Sequence, residues 1–415
     1  MSSHFFLLGE AMTRERISWL EEVLKYFFIM YSPETLRHPI QQENPVVVFF
    51  ITGDALYSLV SKETLPVWEI IISLPSVQII CDQDELDLRG ISLEPLKMKH
   101  PDHVSSRVSS PDSTGNSFWG EILEMAVTRA AIPDTVGYLQ IRSPYMYQAS
   151  GNSLRCLKAA LDRKCSPELY AFLDGVHIGH SNQRPADFRN LGEGFVGLCN
   201  QATRQGLNCS LYASSRSAIA RGYGTWDDGQ GTVISSCTIK NLKIRTLQEI
   251  IERFGRGHAI LAETYFSLCT PHCEPDIARD LTDHSHPHPL PVIIFITKSP
   301  YGTELALGAL FFALACAHHG IGTRVIFIED GVYALSGDHK VNPLDQFFNI
   351  QEVIDSSAWS EKLQFCAFLP SLYERGIMKN KKLNAVMDIG SQELGKILFD
   401  PVQGIRGDYQ RVFFF

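Results

Sequence analysis

One short pattern occurs three times along this chain, each time at the end of an apolar run. It consists of an aspartate, two small or aliphatic residues and an aromatic ring, and its copies are Asp54-Ala55-Leu56-Tyr57, Asp174-Gly175-Val176-His177 and Asp330-Gly331-Val332-Tyr333. Another apolar run and an Arg-Gly pair follow each copy, at Arg89-Gly90, Arg221-Gly222 and Arg375-Gly376. Ser-Pro-Tyr precedes the second and third copies by equal intervals, at 143–145 and 299–301. Such a repeat predicts homologous domains in tandem.

The length of the chain agrees with this division. At 415 residues it can hold about three domains of ordinary size, each with a core of its own. We place the domains at 1–132, 133–268 and 291–415. The first contains a loop at 97–117 rich in Ser, Pro and His, and a linker at 269–290, rich in Cys, His and Pro, precedes the third.

Strand-like and helix-like stretches alternate within the domains. In the third, 292–296 is short and β-branched, 303–319 is rich in Ala and Leu and stops at Gly320, and 324–329 is again strand-like. Apolar strands separated by helices predict a mostly parallel sheet that is covered on both faces. Right-handed crossovers then give a doubly wound fold. The predicted class is therefore α/β, as three tandem doubly wound, flavodoxin-like domains with mostly parallel sheets.

Composition and charge restrict the kind of partner. The chain is 45% hydrophobic and 20% charged with a formal net charge of −9, which is typical of a soluble globular protein and gives no electrostatic footprint for direct nucleic-acid binding. The most apolar helix candidate, 305–317, is shorter than the ~20 residues that span a bilayer, and residues 1–10 lack a signal-peptide pattern. Ten cysteines without the spacing of a disulfide-rich domain indicate a reducing compartment. We expect a cytoplasmic protein without membrane contact.

The repeated motifs resemble those of the small sulfur-relay proteins DsrE, DsrF and DsrH, which are called TusD, TusC and TusB in another pathway. The matching segments are 299–303, 327–333 and 371–376 for DsrF/TusC, 172–177, 206–208 and 220–222 for DsrE/TusD, and 82–90 for DsrH/TusB. The chain thus resembles all three members fused in the order DsrH-like, DsrE-like, DsrF-like.

This resemblance implies sulfur relay by cysteine persulfide. A thiolate takes the outer sulfur of a donor persulfide and passes it to the next thiolate, as in thiol–disulfide exchange. No metal or organic cofactor is required. The implied partners are small sulfur-carrier proteins of the DsrC/TusE or TusA type, acting in tRNA thiolation or in sulfur-compound oxidation. Two copies of each subunit assemble in the family, so a homodimer of this chain is expected.

The reactive cysteine of the family is replaced in this chain. In DsrE/TusD it lies eight residues before the glycine of the Arg-Gly pair, where this chain has Ser214. Cys209 could serve instead if the local alignment shifts, and in the third domain Cys366 lies near the corresponding position. A reactive thiol needs exposure and a lowered pKa. The alternative for both cysteines is a small apolar residue in the core.

The aspartates and arginines of the repeat are candidates for partner docking. Asp174 and Asp330 are expected at strand ends, where a carrier protein could contact them together with Arg221 and Arg375. Structural alternatives remain open. An Asp-Gly turn needs no functional reason, and an arginine at a helix end can be a solvated residue that suits the helix dipole.

The linker contains the candidate zinc ligands Cys269, Cys273, His284 and His286. Their spacing matches no usual finger pattern, and a polar linker is the alternative. We therefore expect no metal.

Two other functions are consistent with the sequence. A scaffold could keep the fold and dock carrier proteins without an acceptor thiol, which agrees with Ser214. A phosphate or nucleotide could bind at the helix start after 299–303, where backbone N–H groups are free. That segment lacks a full phosphate-loop pattern.

Overall fold

The computed structural model describes residues 3–30, 46–109, 117–130, 132–145, 151–185, 189–227, 232–235, 237–269, 290–340, 349–358, 360–399 and 409–415. Strands and helices alternate along most of it. In chain order they are β1 (Ser3–Leu8), α1 (Arg14–Met30), β2 (Val46–Ile51), α2 (Leu65–Ile72), β3 (Val77–Asp82), α3 (Gln83–Arg89), α4 (Glu94–Lys99), β4 (Val104–Arg107), α5 (Phe118–Val127), β5 (Ile132–Gln140), α6 (Asn152–Asp162), β6 (Ser166–Ala171), α7 (Leu191–Arg204), β7 (Ser210–Ser214), α8 (Ser215–Ala220), β8 (Thr225–Asp227), β9 (Thr232–Ile234), β10 (Leu242–Arg245), α9 (Leu247–Phe254), β11 (His258–Ala262), β12 (Tyr265–Cys269), β13 (Val292–Ile296), α10 (Leu305–His318), β14 (Thr323–Phe327), α11 (Ile350–Ser357), β15 (Leu363–Phe368), α12 (Leu369–Glu374), β16 (Val386–Ile389), α13 (Ser391–Phe399) and β17 (Tyr409–Phe414).

The largest sheet has ten strands, in the order β16-β15-β14-β13-β17-β12-β1-β2-β3-β4. Its neighbouring strands are parallel except at β12, which is antiparallel to both β1 and β17. Strand β12 therefore joins the strands from the two ends of the chain into one continuous sheet.

A second, five-stranded sheet is formed by the middle of the chain. Its order is β10-β7-β6-β5-β11, and all its strands are parallel. Strands β13 to β17 repeat this arrangement, because in both sets the first strand lies between the second and the last. The short strands β8 and β9 form a separate antiparallel pair.

The large sheet is buried on both faces. In β2, Phe49 and Ile51 face a core that contains α1, α2 and α13, whereas Val48 and Phe50 face the core shared with the five-stranded sheet. Helices α5, α6 and α10 also contribute to this shared core. Burial on both faces is the physical reason for strands that are apolar at nearly every position.

The structure is mixed α/β with parallel sheets and fits the flavodoxin-type arrangement that the sequence predicts. The predicted strand at 292–296 coincides with β13. The predicted helix at 303–319 corresponds to α10, and the next predicted strand to β14. Local apolar pattern and glycine stops are therefore sufficient to locate these elements.

The segment 97–117 differs from the expected loop. Helix α4 continues to Lys99, and β4 pairs with β3 at the edge of the large sheet. An edge strand this short and polar, Val104–Arg107, carries no apolar alternation to reveal it. Residues 110–116 lie outside the described residues.

The expected boundary at 268–269 also differs from the structure, because it cuts β12 just before its last residue, Cys269. By its hydrogen bonds this strand belongs to the large sheet and not to the five-stranded sheet that precedes it in the chain. Most of the expected linker, 270–289, lies outside the described residues, and with it the candidate ligands Cys273, His284 and His286.

Candidate functional site at the carboxyl ends of the parallel strands

The three aspartate motifs form the same local structure at corresponding positions. The first segment of the chain contributes the strand set β1 to β4, the middle segment the five-stranded sheet, and the third segment the set β13 to β17. Each motif lies in a seven-residue 3-10 helix directly after the second strand of its set: Gly53–Leu59 after β2, Leu173–Gly179 after β6 and Glu329–Leu335 after β14. The first residue of each 3-10 helix has a positive φ, of 56° at Gly53, 50° at Leu173 and 54° at Glu329. Leucine and glutamate rarely adopt this conformation, so the surroundings must hold them there.

Close packing against the neighbouring strand explains the glycine of the motif. A Cβ atom at Gly175 would lie 2.0 Å from the carbonyl oxygen of Gln140, and one at Gly331 would lie 1.9 Å from that of Ile296. Each oxygen belongs to the last residue of the first strand of its set, β5 or β13. The glycine therefore lets the turn seat directly on the strand end.

Each aspartate pairs with the arginine of its own Arg-Gly motif. The guanidinium nitrogens lie 3.0 Å from Asp54 in Arg89, 2.7 Å from Asp174 in Arg221 and 3.0 Å from Asp330 in Arg375. The side chains of Asp174 and Asp330 are more than half exposed, whereas those of Arg221 and Arg375 are only 10% and 15% exposed. The solvated arginine considered as an alternative is therefore wrong, and the carboxylates are what a partner can reach.

Arg221 and Arg375 also contact the first helix of another segment, and Arg89 is linked to one through Glu85. Arg221 lies 2.8 Å from Glu304, which precedes α10, and Arg375 lies 2.8 Å from Glu15 of α1. Arg89 pairs with Glu85, which is also contacted by Arg155 of α6. The contacts run from the middle segment to the third, from the third to the first, and from the first to the middle.

Burial disfavours the charge on Arg375, but its two carboxylate partners outweigh that effect. Glu15 and Asp330 hydrogen-bond to the guanidinium and raise its pKa above the ordinary value. Arg375 is therefore a cation at any physiological pH.

The position of the family cysteine lies at the carboxyl end of the third strand in each set. It is occupied by the last residue of the strand, which is Asp82 in β3, Ser214 in β7 and Phe368 in β15, and each residue is the N-cap of the next helix. Ser214 is fully buried, and its hydroxyl makes no hydrogen bond within the described residues. Asp82 is buried as well, and burial raises its pKa although Ser109 and Thr52 donate hydrogen bonds to it. None of the three can carry a persulfide.

Cys209 lies at the other end of β7. It precedes the strand, is half-buried, and its Sγ atom is 2.7 Å from the Sγ atom of Cys199 in α7. A hydrogen bond between the two sulfurs stabilises the singly charged pair, because it lowers the pKa of Cys199 and raises the pKa of Cys209.

Cys366 lies within β15 and is fully buried, and burial raises the pKa of its thiol to about 11. It therefore lacks both the exposure and the lowered pKa that a persulfide carrier needs. This geometry favours the core alternative for Cys366, while Cys209 retains contact with solvent.

A cleft of about 430 Å³ opens beside the second aspartate motif, and sequence reasoning missed it. The side chains around it include Tyr145, His177, His180, Gln183, Arg184 and Tyr223. The hydroxyl of Tyr223 lies 2.6 Å from Nδ1 of His177, and burial lowers the pKa of this histidine. Three residues of the repeated motifs, Ser143, Tyr145 and His177, line this cleft.

Ser-Pro-Tyr has an equivalent structural role in both copies. The hydroxyl of Tyr145 bonds to Gln183 and accepts a hydrogen bond from the backbone of Leu191, the first residue of α7. The hydroxyl of Tyr301 lies 2.7 Å from Nδ1 of His339. His339 follows Asp330 by the same number of residues as Gln183 follows Asp174. In both copies the tyrosine hydroxyl therefore hydrogen-bonds to the residues that follow the aspartate turn and helps to fix their position.

A buried charged cluster lies where the first strands of the three sets end. Glu10 follows β1, Arg142 follows β5 and Lys298 follows β13, each two residues beyond its strand. Glu10 lies 2.8 Å from Arg142 and 3.4 Å from Arg16, and Arg142 lies 3.7 Å from Glu263. Burial, with the nearby charge of Glu10, raises the pKa of Glu263 to about 7.

Part of the chain matches a known family. Residues 291–400 match the model of the DsrE/DsrF-like family. The matched region contains Tyr301, Asp330 and Arg375, so it includes the Asp–Arg pair of the third segment. A role in sulfur relay is suggested at the level of this family.

One relative is an uncharacterized protein of the archaeon Methanocaldococcus jannaschii, MJ0989. It is 27% identical to this chain over 97 residues, which are 23% of this chain and 85% of the archaeal protein. The similarity thus concerns a segment of about one domain.

Two further observations bear on the expected partners. Within the described residues, no group of three His, Cys, Asp or Glu side chains is arranged to hold a metal ion. None of the helices in the described ranges is both long enough and apolar enough to span a bilayer.

Proposed function

We propose that this chain is a cytoplasmic sulfur-relay protein that moves sulfane sulfur between small carrier proteins of the DsrC/TusE or TusA type. Cys209 is the thiol that would carry the sulfur. The observation that supports it most is the partial exposure of Cys209 beside a second thiol, Cys199, whose Sγ atom lies 2.7 Å away and can take its proton.

The transfer step needs only cysteine chemistry. Cys209 gives its proton to the Cys199 thiolate and attacks the outer sulfur of the carrier persulfide, an S–S bond forms on Cys209, and the carrier leaves as a thiolate. The reverse step delivers the sulfur to the next carrier, for tRNA thiolation or for sulfur-compound oxidation. No organic cofactor enters the reaction.

The assembly we propose is three homologous domains, DsrH-like, DsrE-like and DsrF-like, packed in one chain as separate subunits would be. The three aspartate turns at corresponding strand ends support it, and so does the cyclic set of contacts made by Arg155, Arg221 and Arg375. By the same resemblance the fused chain would form a homodimer. Light scattering at the mass of a single chain would contradict the dimer.

Carrier proteins would dock at the carboxyl ends of the strands, which is the opposite end of β7 from Cys209, so the docking surface and the sulfur-accepting thiol are separate sites. Asp174 and Asp330 offer exposed carboxylates there, and the third segment also has two exposed rings, those of Tyr333 and Tyr373. Exposed aromatic rings beside charged groups are common at protein interfaces.

Mass spectrometry of the full chain tests the transfer step. Early after mixing with a persulfide-loaded carrier, wild-type protein should gain one sulfur atom on the Cys209 peptide while the carrier loses one, and the Cys209→Ser variant should gain none. The control is Cys237→Ser, because Cys237 is also half-buried and lies in the same segment. A wild-type protein that gains no sulfur on any cysteine and leaves the carrier persulfide fully loaded would refute the relay function.

A second candidate is a scaffold that binds carriers without accepting their sulfur. Ser214 favours it, since a serine occupies the position of the family cysteine. Under this function the Cys209→Ser variant would bind carriers as wild type does and support the same sulfur flux.

A further inference from the structure

The two neighbouring sulfur atoms of Cys199 and Cys209 are close enough for chemistry between them. Their separation of 2.7 Å is about 0.7 Å longer than a disulfide bond, which measures about 2.05 Å. A small side-chain movement would therefore join them.

The chain between the two cysteines keeps them in register. Cys199 lies in the last turns of α7, which ends at Arg204, and Gly206 follows with a φ of 73°. The backbone N–H of Leu207 bonds back to the carbonyl of Ala202 at 2.9 Å, and β7 begins at Ser210. A helix end with a left-handed glycine thus turns the chain directly into the strand, and the closed loop is short.

The two thiols differ in access. Cys199 is 4% exposed, whereas Cys209 is half-buried and reaches solvent. A sulfur donor can therefore meet only Cys209, and Cys199 lies behind it. This is the arrangement of an attacking thiol backed by a resolving thiol.

Charged groups on neighbouring strands act on the pair. Lys243 of β10 favours the thiolate of Cys199, and Glu168 of β6 disfavours a thiolate on Cys209. Glu168 itself is paired with Arg253 and lies 3.8 Å from His258. The negative charge of the pair is thus directed toward the inner sulfur.

We propose that Cys199 and Cys209 form a redox-active dithiol that releases bound sulfane sulfur as sulfide. The inference deepens the proposed function and rests on its first step, the persulfide on Cys209. The Cys199 thiolate attacks Sγ of Cys209, the Cys199–Cys209 disulfide forms, and the outer sulfur leaves as HS⁻. Over loading and release together, the two thiols lose two electrons and become a disulfide. The sulfane sulfur gains these two electrons and leaves as sulfide. An external dithiol protein restores the pair by disulfide exchange.

Glutathione persulfide, added to the full chain, is the probe. Wild type should release sulfide and end with a Cys199–Cys209 disulfide, found by peptide mapping without reduction. The Cys199→Ser variant should keep the persulfide on Cys209 and release no sulfide above the donor blank. The Cys209→Ser variant should neither load nor release, and Cys237→Ser should behave as wild type.

A stable persulfide on wild-type Cys209, without disulfide or sulfide, overturns the inference while leaving the proposed function intact. If the donor loads no cysteine, the proposed function fails, and glutathione disulfide then tests the dithiol alone. A Cys199–Cys209 crosslink supports the redox pair. A glutathione adduct that persists on Cys209 of the wild type overturns it.

Discussion

The guanidinium of Arg16 holds the carboxylate of Glu329 through two hydrogen bonds, of 2.7 and 2.8 Å, across 313 residues of the chain. Both side chains are almost completely buried. Glu329 is also the residue with a positive φ that begins the third aspartate turn. A contact between the first and third segments therefore holds a strained turn at the candidate docking surface.

Removing one partner of this pair should destabilise the protein strongly. We expect Glu329→Ala to lower the free energy of unfolding by about 3 to 5 kcal/mol, because Arg16 would be left buried with only Glu10 at 3.4 Å. Urea denaturation followed by tryptophan fluorescence measures it. The double variant Arg16→Met/Glu329→Leu should recover much of the loss, and a Glu329→Ala protein as stable as wild type would contradict the assignment.

Gly308 should be intolerant of a side chain because of Leu173. A Cβ at Gly308 of α10 would lie 2.6 Å from Cδ1 of Leu173. We expect Gly308→Ala to cost about 1 to 3 kcal/mol by overpacking, in spite of the better helix propensity of alanine. Thermal denaturation measures the loss.

A matched glycine provides the control for this prediction. Gly197 of α7 has open space where its Cβ would be, so Gly197→Ala should stabilise the protein by up to about 1 kcal/mol. In the double variant Leu173→Ala/Gly308→Ala, the second substitution should cost less than it does alone. An equal cost in both backgrounds would show that Leu173 is not the obstacle.

The charged cluster at the strand ends should make stability depend on pH. The pKa of Glu263 is raised to about 7 in the folded protein from 4.5, by burial and then by Glu10. The folded state therefore binds the proton of Glu263 more tightly than the unfolded state does. The stability that this proton contributes is complete below pH 4.5 and is lost as the pH rises toward 7. Glu263→Gln should be more stable than wild type at pH 8, and the difference should vanish near pH 4.5. A constant difference across this range would contradict the raised pKa.

Buried His4 should act in the opposite direction at acid pH. Burial, with the charge of Arg129, lowers its pKa to about 3 from 6.5, and its ring packs between Phe27 and Phe399. The unfolded state takes up the proton first, so stability falls as the pH drops below 6.5, by about 2 kcal/mol at pH 5. Unfolding curves of the His4→Phe variant should lack this component. An unchanged acid limb would show that other groups cause it.

The exposed aspartates should affect carrier binding without affecting the fold. In Asp174→Asn, Arg221 keeps Glu304 as its partner, so the melting temperature should stay close to that of wild type. Binding of a carrier protein, measured by calorimetry, should weaken about tenfold if the carboxylate faces a cation of the partner. Asp338→Asn is the control, because Asp338 is an exposed acid that pairs with Lys382 and belongs to none of the Asp–Arg pairs of the repeat. Equal affinity of Asp174→Asn and wild type would remove Asp174 from the docking surface.

Much of the architecture follows from the amino-acid sequence alone. The strands β13 and β14 and the helix α10 were predictable, because apolar periodicity and a glycine stop act within a few residues. The three aspartate turns were recognisable because their short motif repeats along the chain. In two of them the motif includes a glycine, Gly175 or Gly331, because a carbonyl oxygen leaves no room for a Cβ atom. The family match at 291–400 agrees with the motifs of that segment.

Tertiary structure decided the remaining features. Three kinds of contact join residues that are far apart in the chain. They are the pairing of β12 with β1 and β17, the packing of Leu173 on Gly308 and the charged cluster around Glu10. The sulfur pair of Cys199 and Cys209 depends on how a helix end turns into a strand. Such contacts leave no periodic signal, because the free energy of packing and of charge pairing depends on positions in space that only the folded chain establishes.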